Sequence, residues 1–563
     1  MKPLRLSATL LPLASLLSAH AQAEQPLLAD NSQVLSAFAQ STGAAPPELV
    51  RQEDGGTRIE WKGSVAVDLY DNRVRVPANT GNVTSPQADG NFHRIQVSGD
   101  LRGLTPDNRI RYLQFMATQS DDRAVQSYPL LFNSVQAGHV SATTQLAVGD
   151  VNADFSALGT RLGVRGVLAT TLLGPSTLSV SAGTLAPTWN AVMDEDKRTE
   201  YLRNLISAKL DAPLSATTRG FFSVQGYTDD PATVPLAQQT LLPASGHAAT
   251  LGLAHQDGAL ALTAEAGLSR WSPEGQADRD AHALVLDGSW TGASTLLRFG
   301  HHRLGTYYTS LSAEAQPGIR ETYLAADWRA ADWLNVQGDL RRSENEAVNV
   351  AGGVAAVRTD AATFSETLGF GPNWPGLSLV LQQALSDGEN PGGSDNRQWG
   401  YGAQLGYAAQ AWNGAIAFNR RALRNDAAPT ADGTTDTWSL SLGRTLMDAP
   451  SNPIWQASLG ANASWQGQEL DAGGSTQATQ LGFNVAATHN RLGSFAAGIS
   501  LGWVDPTTGD DLKNLAYTLE ATHPFKGDKG SVKLYARDTR YHSGNPLLRN
   551  DARTLGIQLA LNF

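Results

Sequence analysis

Trp455-Gln456-Ala457-Ser458-Leu459-Gly460-Ala461-Asn462-Ala463-Ser464-Trp465 is the stretch that decides the fold. Trp455, Ala457, Leu459, Ala461, Ala463 and Trp465 fall on one face, and Gln456, Ser458, Gly460, Asn462 and Ser464 on the other. A period of two is that of a strand with one oily and one polar side. The two tryptophans close the oily face at both ends. At ~3.3 Å per residue and a tilt near 40° they stand roughly 25 Å apart, the height of an apolar band with an aromatic at each rim.

The same alternation runs outward in both directions. Phe495, Ala497, Ile499, Leu501 and Trp503 oppose Ala496, Gly498, Ser500 and Gly502; Leu555, Ile557, Leu559, Leu561 and Phe563 oppose Thr554, Gly556, Gln558, Ala560 and Asn562. Strands of this length exceed the five or six residues usual in soluble sheets and match the 9–11 needed to cross a bilayer at a tilt. Short connections such as Asn490–Gly493, Thr291-Gly292 and Asp257-Gly258 alternate with longer polar ones such as Arg303–Ile319 and His542–Asp551. Short turns on one side and long loops on the other are the rule for transmembrane barrels. The expectation is therefore all-β: one large antiparallel up-and-down transmembrane β-barrel over 57–563, with about 22–26 strands. An even number returns both ends to the short-turn side. Residues 119–160 resist phasing. Glu366 falls on the apolar face beside Phe364, Leu368 and Phe370, which predicts a bulge or register shift there.

The rest of the chain fits export. Lys2 and Arg5 precede the apolar run Leu6–Ala19, and Ala21-Gln22-Ala23 supplies small residues for cleavage, so 1–23 reads as a signal peptide. Residues 24–56 read as a short periplasmic segment, a small plug or linker. The chain has 563 residues, 17% of them charged, a formal charge of −11 and no cysteine. No disulfide scaffold or thiolate chemistry is available, and the absence of a long basic run argues against a nucleic-acid partner.

Motifs that could carry catalysis sit badly. Gly498-Ile499-Ser500-Leu501-Gly502 has the spacing of a nucleophile elbow but lies inside an alternating strand, where the required strand–turn–helix cannot form. His301-His302-Arg303 lacks metal-ligand spacing and reads as the start of a loop at the rim, near water or lipopolysaccharide. Asp505, Asp510 and Asp511 match no calcium loop. No enzyme activity and no cofactor are expected. Parity places Arg161, Arg165, Glu265, Asp287, Arg298, Asp327, Glu520, Lys533 and Arg537 on the lumen side, since a charge facing lipid costs about 2–4 kcal/mol near the midplane. They read as a mutually paired, solvated wall or as a selectivity lining. Trp455, Trp465, Trp503 and Phe563 read as the lipid-facing aromatic girdle.

The signal peptide, the alternating strands and the closing strand Leu555–Phe563 resemble a Gram-negative outer-membrane β-barrel protein. The resemblance implies an outer-membrane location, contact with lipid and lipopolysaccharide, and recognition of the C-terminal strand by the barrel-assembly machinery. Gly149-Asp150, Phe155 and Arg165-Gly166 are similar to the early barrel region of fimbrial ushers, although the plug and terminal domains of an usher find no room here. Plugged receptors, assembly factors with periplasmic repeats and cysteine-dependent lipopolysaccharide-insertion barrels are disfavoured by the missing parts. The expected function is a large-bore transport pore for export or secretion of a polymer, protein or polysaccharide, with that polymer or a periplasmic protein as partner. The alternative is a structural or surface-interaction barrel that binds partners through its extracellular loops.

Overall fold

A computed structural model describes residues 57–563 apart from 76–86, 106–108, 127, 195–197, 199, 234–241, 313–315, 349–353, 391–393, 410, 427–428, 449–451, 453, 508, 526–528 and 546–548. The signal peptide and the 24–56 segment lie outside the described residues. Alternating sequence becomes a single 26-stranded sheet, the upper end of the expected range. Strands are numbered β1 (Arg58–Arg75) to β26 (Asn550–Asn562) in chain order, and each pairs antiparallel with its sequence neighbours. The sheet closes on itself where β1 meets β26, from Ser64↔Asn562 to Arg75↔Asp551, so the first and last strands pair with each other instead of forming open edges.

The outward face is apolar because there is no second layer for it to pack on. Leu251 is 66% exposed, Leu268 69%, Leu519 58% and Leu555 51%. Trp328, Trp333, Trp374 and Trp412 ring the short-turn end, and Trp399, Trp438 and Trp503 ring the other. Phe563 stacks on Trp61, with ring centroids 6.1 Å apart, and Trp455 meets His489 edge-on at 4.6 Å. Trp438 and Trp465 are direct register partners.

Two expectations change. Glu366 causes no bulge: the ladders on both sides of its strand, β16 (Val354–Gly369), run without a break, and Glu366 stays opposite Val336 and Leu381 on the outward face. The row of register partners Trp328, Val336, Glu366, Leu381, Ala403, Phe418 and Trp438 climbs from one aromatic ring to the other. Glu366 thus lies inside the apolar band, since the backbone ladder pairs in the same way whichever side chain projects from it. Several expected long loops are instead strand. Ser386–Asn390 pairs with Ser394–Gln398, and Glu344–Val348 pairs with Val354–Arg358. Polar residues signal water, and an antiparallel ribbon tolerates water on both faces.

Candidate lumenal site

One hairpin leaves the wall. β5 (Thr144–Asp154) pairs with β4 (Leu130–Val140) over only five positions, ending at Gln136↔Gly149. β6 (Arg161–Leu173) pairs with β7 (Ser176–Leu185) no further than Arg165↔Thr184. β5 and β6 still pair with each other out to Asp154↔Arg161. Residues 150–164 are therefore a two-stranded tongue with no neighbour in the barrel wall. Its first eleven residues, 150–160, end the 119–160 stretch whose phase the sequence leaves ambiguous.

Glycines make the departure possible. Gly149, Gly166 and Gly183 are successive register partners across β5, β6 and β7. Gly149 has φ +112°, and a Cβ there would collide with the Val135 carbonyl oxygen. A side chain on Gly166 would meet the Ala182 carbonyl, and one on Gly183 would meet that of Arg165. Backbones approach this closely only where no Cβ intervenes.

A polar clamp fixes the root of the tongue. Asp150 accepts from the Val135 N–H and from Trp189 Nε1, both at 2.7 Å, and lies 3.5 Å from Arg165 Nε. Arg165 donates to the carbonyls of Ala186 and Pro187. Trp189 opens the short helix α1 (Trp189–Met193), N-capped by the Thr188 hydroxyl, and Asn190 donates to the Leu130 carbonyl at 2.9 Å. The helix thereby bridges to β4, the neighbour that β5 has left.

The tip docks on the inner face of the wall a few strands further round. Ala147, Val151, Ala153, Phe155, Val164 and Leu168 form one buried cluster with Leu205, Tyr227 and Leu311. Leu158, completely buried, packs with Ala283, Val285, Leu304 and Tyr308 in a second. Glu265 on β11 (Leu260–Pro273) is 1% exposed; it accepts from Ser156 Oγ at 2.7 Å and the Leu158 N–H at 3.2 Å. The Leu158 carbonyl accepts from Gln225 Nε2, the Tyr308 hydroxyl and Ser310 Oγ at 3.3, 3.3 and 2.9 Å. Tyr308 and Ser310 belong to the connection after β13 (Thr295–Leu304), which also folds inward. Burial, then the charge of Glu265, pushes the Tyr308 hydroxyl up, so it remains a donor.

The structure separates the nine charged candidates. Arg161 and Arg165 belong to the tongue and its root, not to the wall: Arg161 pairs with Asp154 at 3.2 Å, and its N–H donates to Leu311 O. Glu265 is on the wall but sealed beneath the tip. Asp287 accepts from His302 Nε2 at 2.8 Å and the Tyr323 hydroxyl at 2.7 Å. His301 and His302 are thus strand residues, not loop residues, and His301 faces away, toward Thr322. Asp327 accepts from Gln337 at 3.0 Å, while Arg298 stands exposed opposite Ser289 and Ala325. Glu520 meets Lys533 at 2.8 Å and Arg537 at 3.3 Å, and Tyr535 between them donates to Asp68 at 2.8 Å. Ser500 lies mid-strand opposite Gly482 and Ala516, with no turn. Among the described residues no cluster of metal-ligating groups occurs. Trp189, Gln225, Tyr308 and Ser310 escape sequence reading, whereas Gly149-Asp150 and Arg165-Gly166 stood out in it; the glycine row was the available signal.

The lumen is consequently two-sided. The wall from β8 (Leu202–Pro213) to β12 (Arg279–Thr291) is dry beneath the tongue, with Ser207, Ser223, Thr250 and Ala283 buried. Across from it Ser441, Asn462 and Asn484 are exposed, a neutral polar surface.

No protein-family model matches the sequence, and no curated protein is significantly similar to it. Among solved structures it is similar to the translocation pore of the P pilus usher (PapC), at 10% identity and a TM-score of 0.43, covering 89% of this chain and 99% of that one. It is also similar to OccD3 (OpdP) of Pseudomonas aeruginosa, at 9% identity and a TM-score of 0.26 over 89% of this chain and 91% of that one. OprD of Pseudomonas aeruginosa gives 14% identity and a TM-score of 0.28, covering 62% and 92%. The chain is a closed 26-strand up-and-down barrel, and its structural neighbours are Gram-negative outer-membrane β-barrels.

Proposed function

We propose that the protein is an outer-membrane transport pore whose lumen is obstructed by the β5–β6 tongue. The observation that carries this reading is a wall hairpin that abandons its neighbours, enters the lumen and docks there on Gln225 and Glu265, three to five strands further round. A barrel of this strand number encloses a bore wider than that of 16–18-stranded porins, and such a bore needs an obstruction. The neutral polar face opposite the tongue suits passage of a chain that must not bind tightly, which supports export or secretion of a polymer, protein or polysaccharide. Single-channel recording in planar bilayers tests this. The native barrel should give small or brief steps, and a variant with 151–163 replaced by a short Gly/Ser turn should give large, sustained ones. Silence from both would sink the pore reading and favour a closed barrel acting through its outer loops. Equal large steps from both would sink the tongue as the obstruction.

A further inference from the structure

We propose that the lumenal wall from β19 (Trp412–Asn425) round to β1 is a track for an uncharged polysaccharide, held by the carboxamides of Asn413, Asn462, Asn484 and Asn514 and by the rings of Tyr535 and Tyr70. The assignment rests on the pore reading above and names the class of polymer that the lumen takes.

The four asparagines face inward on β19, β21 (Trp455–Leu470), β22 (Ser475–His489) and β24 (Leu512–Phe525). Each has a glycine opposite it on a neighbouring strand: Asn413↔Gly443, Asn484↔Gly460, Asn462↔Gly482 and Asn514↔Gly502. A Cβ on any of these glycines would collide with the carboxamide oxygen of its partner, so each amide lies across bare backbone. Among the described residues no protein group hydrogen-bonds any of the four carboxamides. Asn413, Asn462 and Asn484 are exposed to the lumen. Asn484, Asn462 and Asn514 stand in three successive inward rows, so the amides climb the wall in steps of about 6.8 Å along the strands. From β19 to β24 these three rows hold only Gly, Ala, Ser, Thr, Asn and Gln.

Aromatic rings adjoin the amides. The next row toward the short-turn end runs from Glu520 to Tyr535 on β25 (Gly530–Ser543), then Gly556, Tyr70 and Phe92. A Cβ on Gly556 would enter the Tyr535 ring, so this ring too lies against the wall. Its hydroxyl donates to Asp68 and that of Tyr70 to Asp122, both at 2.8 Å, which fixes the two rings. Tyr70 meets Phe92 with centroids 5.7 Å apart. The charges in this region are already answered: Glu520 takes Lys533 and Arg537, and the two aspartates take the phenols. A pyranose has C–H groups on its faces and hydroxyls at its edge. Ring faces beside neutral amides, which both donate and accept, match that chemistry. A polyanion meets no cation in the three amide rows, and apolar side chains of a polypeptide meet no apolar surface there.

The test is isothermal titration calorimetry on the full barrel in detergent, with folding followed by heat-modifiable gel migration. The probes are a panel of neutral gluco-, manno- and galacto-oligosaccharides, an oligogalacturonate of equal length, and an unstructured peptide. At least one neutral oligosaccharide should bind the native barrel, and the oligogalacturonate and the peptide should bind it more weakly. Tyr535→Ala, and separately Asn462→Ala/Asn484→Ala, should each weaken the sugar by about tenfold or more. Tyr535→Phe, which keeps the ring and loses only the bond to Asp68, should retain most of the affinity. Thr363→Ala, inward on β16 and outside the track, should leave it unchanged. No binding by any neutral oligosaccharide, unaltered affinity in the alanine variants, or equal loss from Thr363→Ala would each overturn the track. Peptide binding as tight as the sugar's would overturn it in favour of a protein cargo. Steps in planar bilayers without sugar binding would overturn the track and leave the pore, whereas silence there from the native and the 151–163-replaced barrels would overturn the pore reading beneath it.

Discussion

Removing the carboxylate under the tongue should release its tip. Glu265 is 1% exposed and is the acceptor for the Leu158 N–H and the Ser156 hydroxyl. Glu265→Ala leaves the amide with no acceptor and forces the hydroxyl to find another, at roughly 1–3 kcal/mol for each group left unsatisfied. Since the hydroxyl can rotate, about 2–4 kcal/mol of docking free energy is lost, which raises the undocked population about thirtyfold to a thousandfold. The chain has no cysteine, so Leu158→Cys places a single thiol at a position that is 0% exposed when docked. Its rate of modification by a water-soluble thiol reagent measures the undocked fraction. In the Glu265→Ala background that rate should rise by the factor above, and Glu265→Gln, which keeps one acceptor oxygen, should fall between. Identical rates in all three backgrounds, or full solvent-exposed reactivity with Glu265 intact, would refute the docked tongue.

Gly149→Ala should destabilise the barrel by more than about 1 kcal/mol, because φ is +112° and the new Cβ meets the Val135 carbonyl; urea titration of the heat-modifiable band reports it. Leu559→Asp puts a carboxylate in the outward row beside Val67 and Val532 and should impair assembly, by about 2–4 kcal/mol near the midplane, whereas Gln558→Asp, facing inward, should be tolerated. Equal assembly of the two variants would contradict the assigned faces. Glu366→Leu should stabilise folding in lipid by roughly 1–2 kcal/mol, since a carboxylate leaves the apolar band; an unchanged urea midpoint would show that Glu366 is already satisfied there.

The architecture was legible because closing a sheet in hydrocarbon demands a specific pattern. Trp455–Trp465 and Leu555–Phe563 carry an unbroken period of two, and in the structure these are β21 (Trp455–Leu470) and β26, with their leucines outward. Alternation assigns faces and, through turn spacing, bounds the number of strands to about 22–26, of which the structure has 26. The rim was less legible. Charged segments such as Glu344–Asp360 look like loops, because polarity reports contact with water and not loss of backbone pairing.

What the sequence by itself determined is the antiparallel barrel and the parity of the strands with the cleanest alternation, such as 455–465 and 555–563, both consequences of side chains pointing to alternate sides. Only the tertiary structure decided that 150–164 leaves the wall, that Glu265 is sealed under Leu158, and that Arg73 and Arg553 come face to face across the closure of first and last strands. The reason is that a period of two says which way a side chain points but not what lies opposite it. A tongue strand and a wall strand alternate alike, and partners distant along the chain, such as Arg73 and Arg553, meet only when the ring shuts.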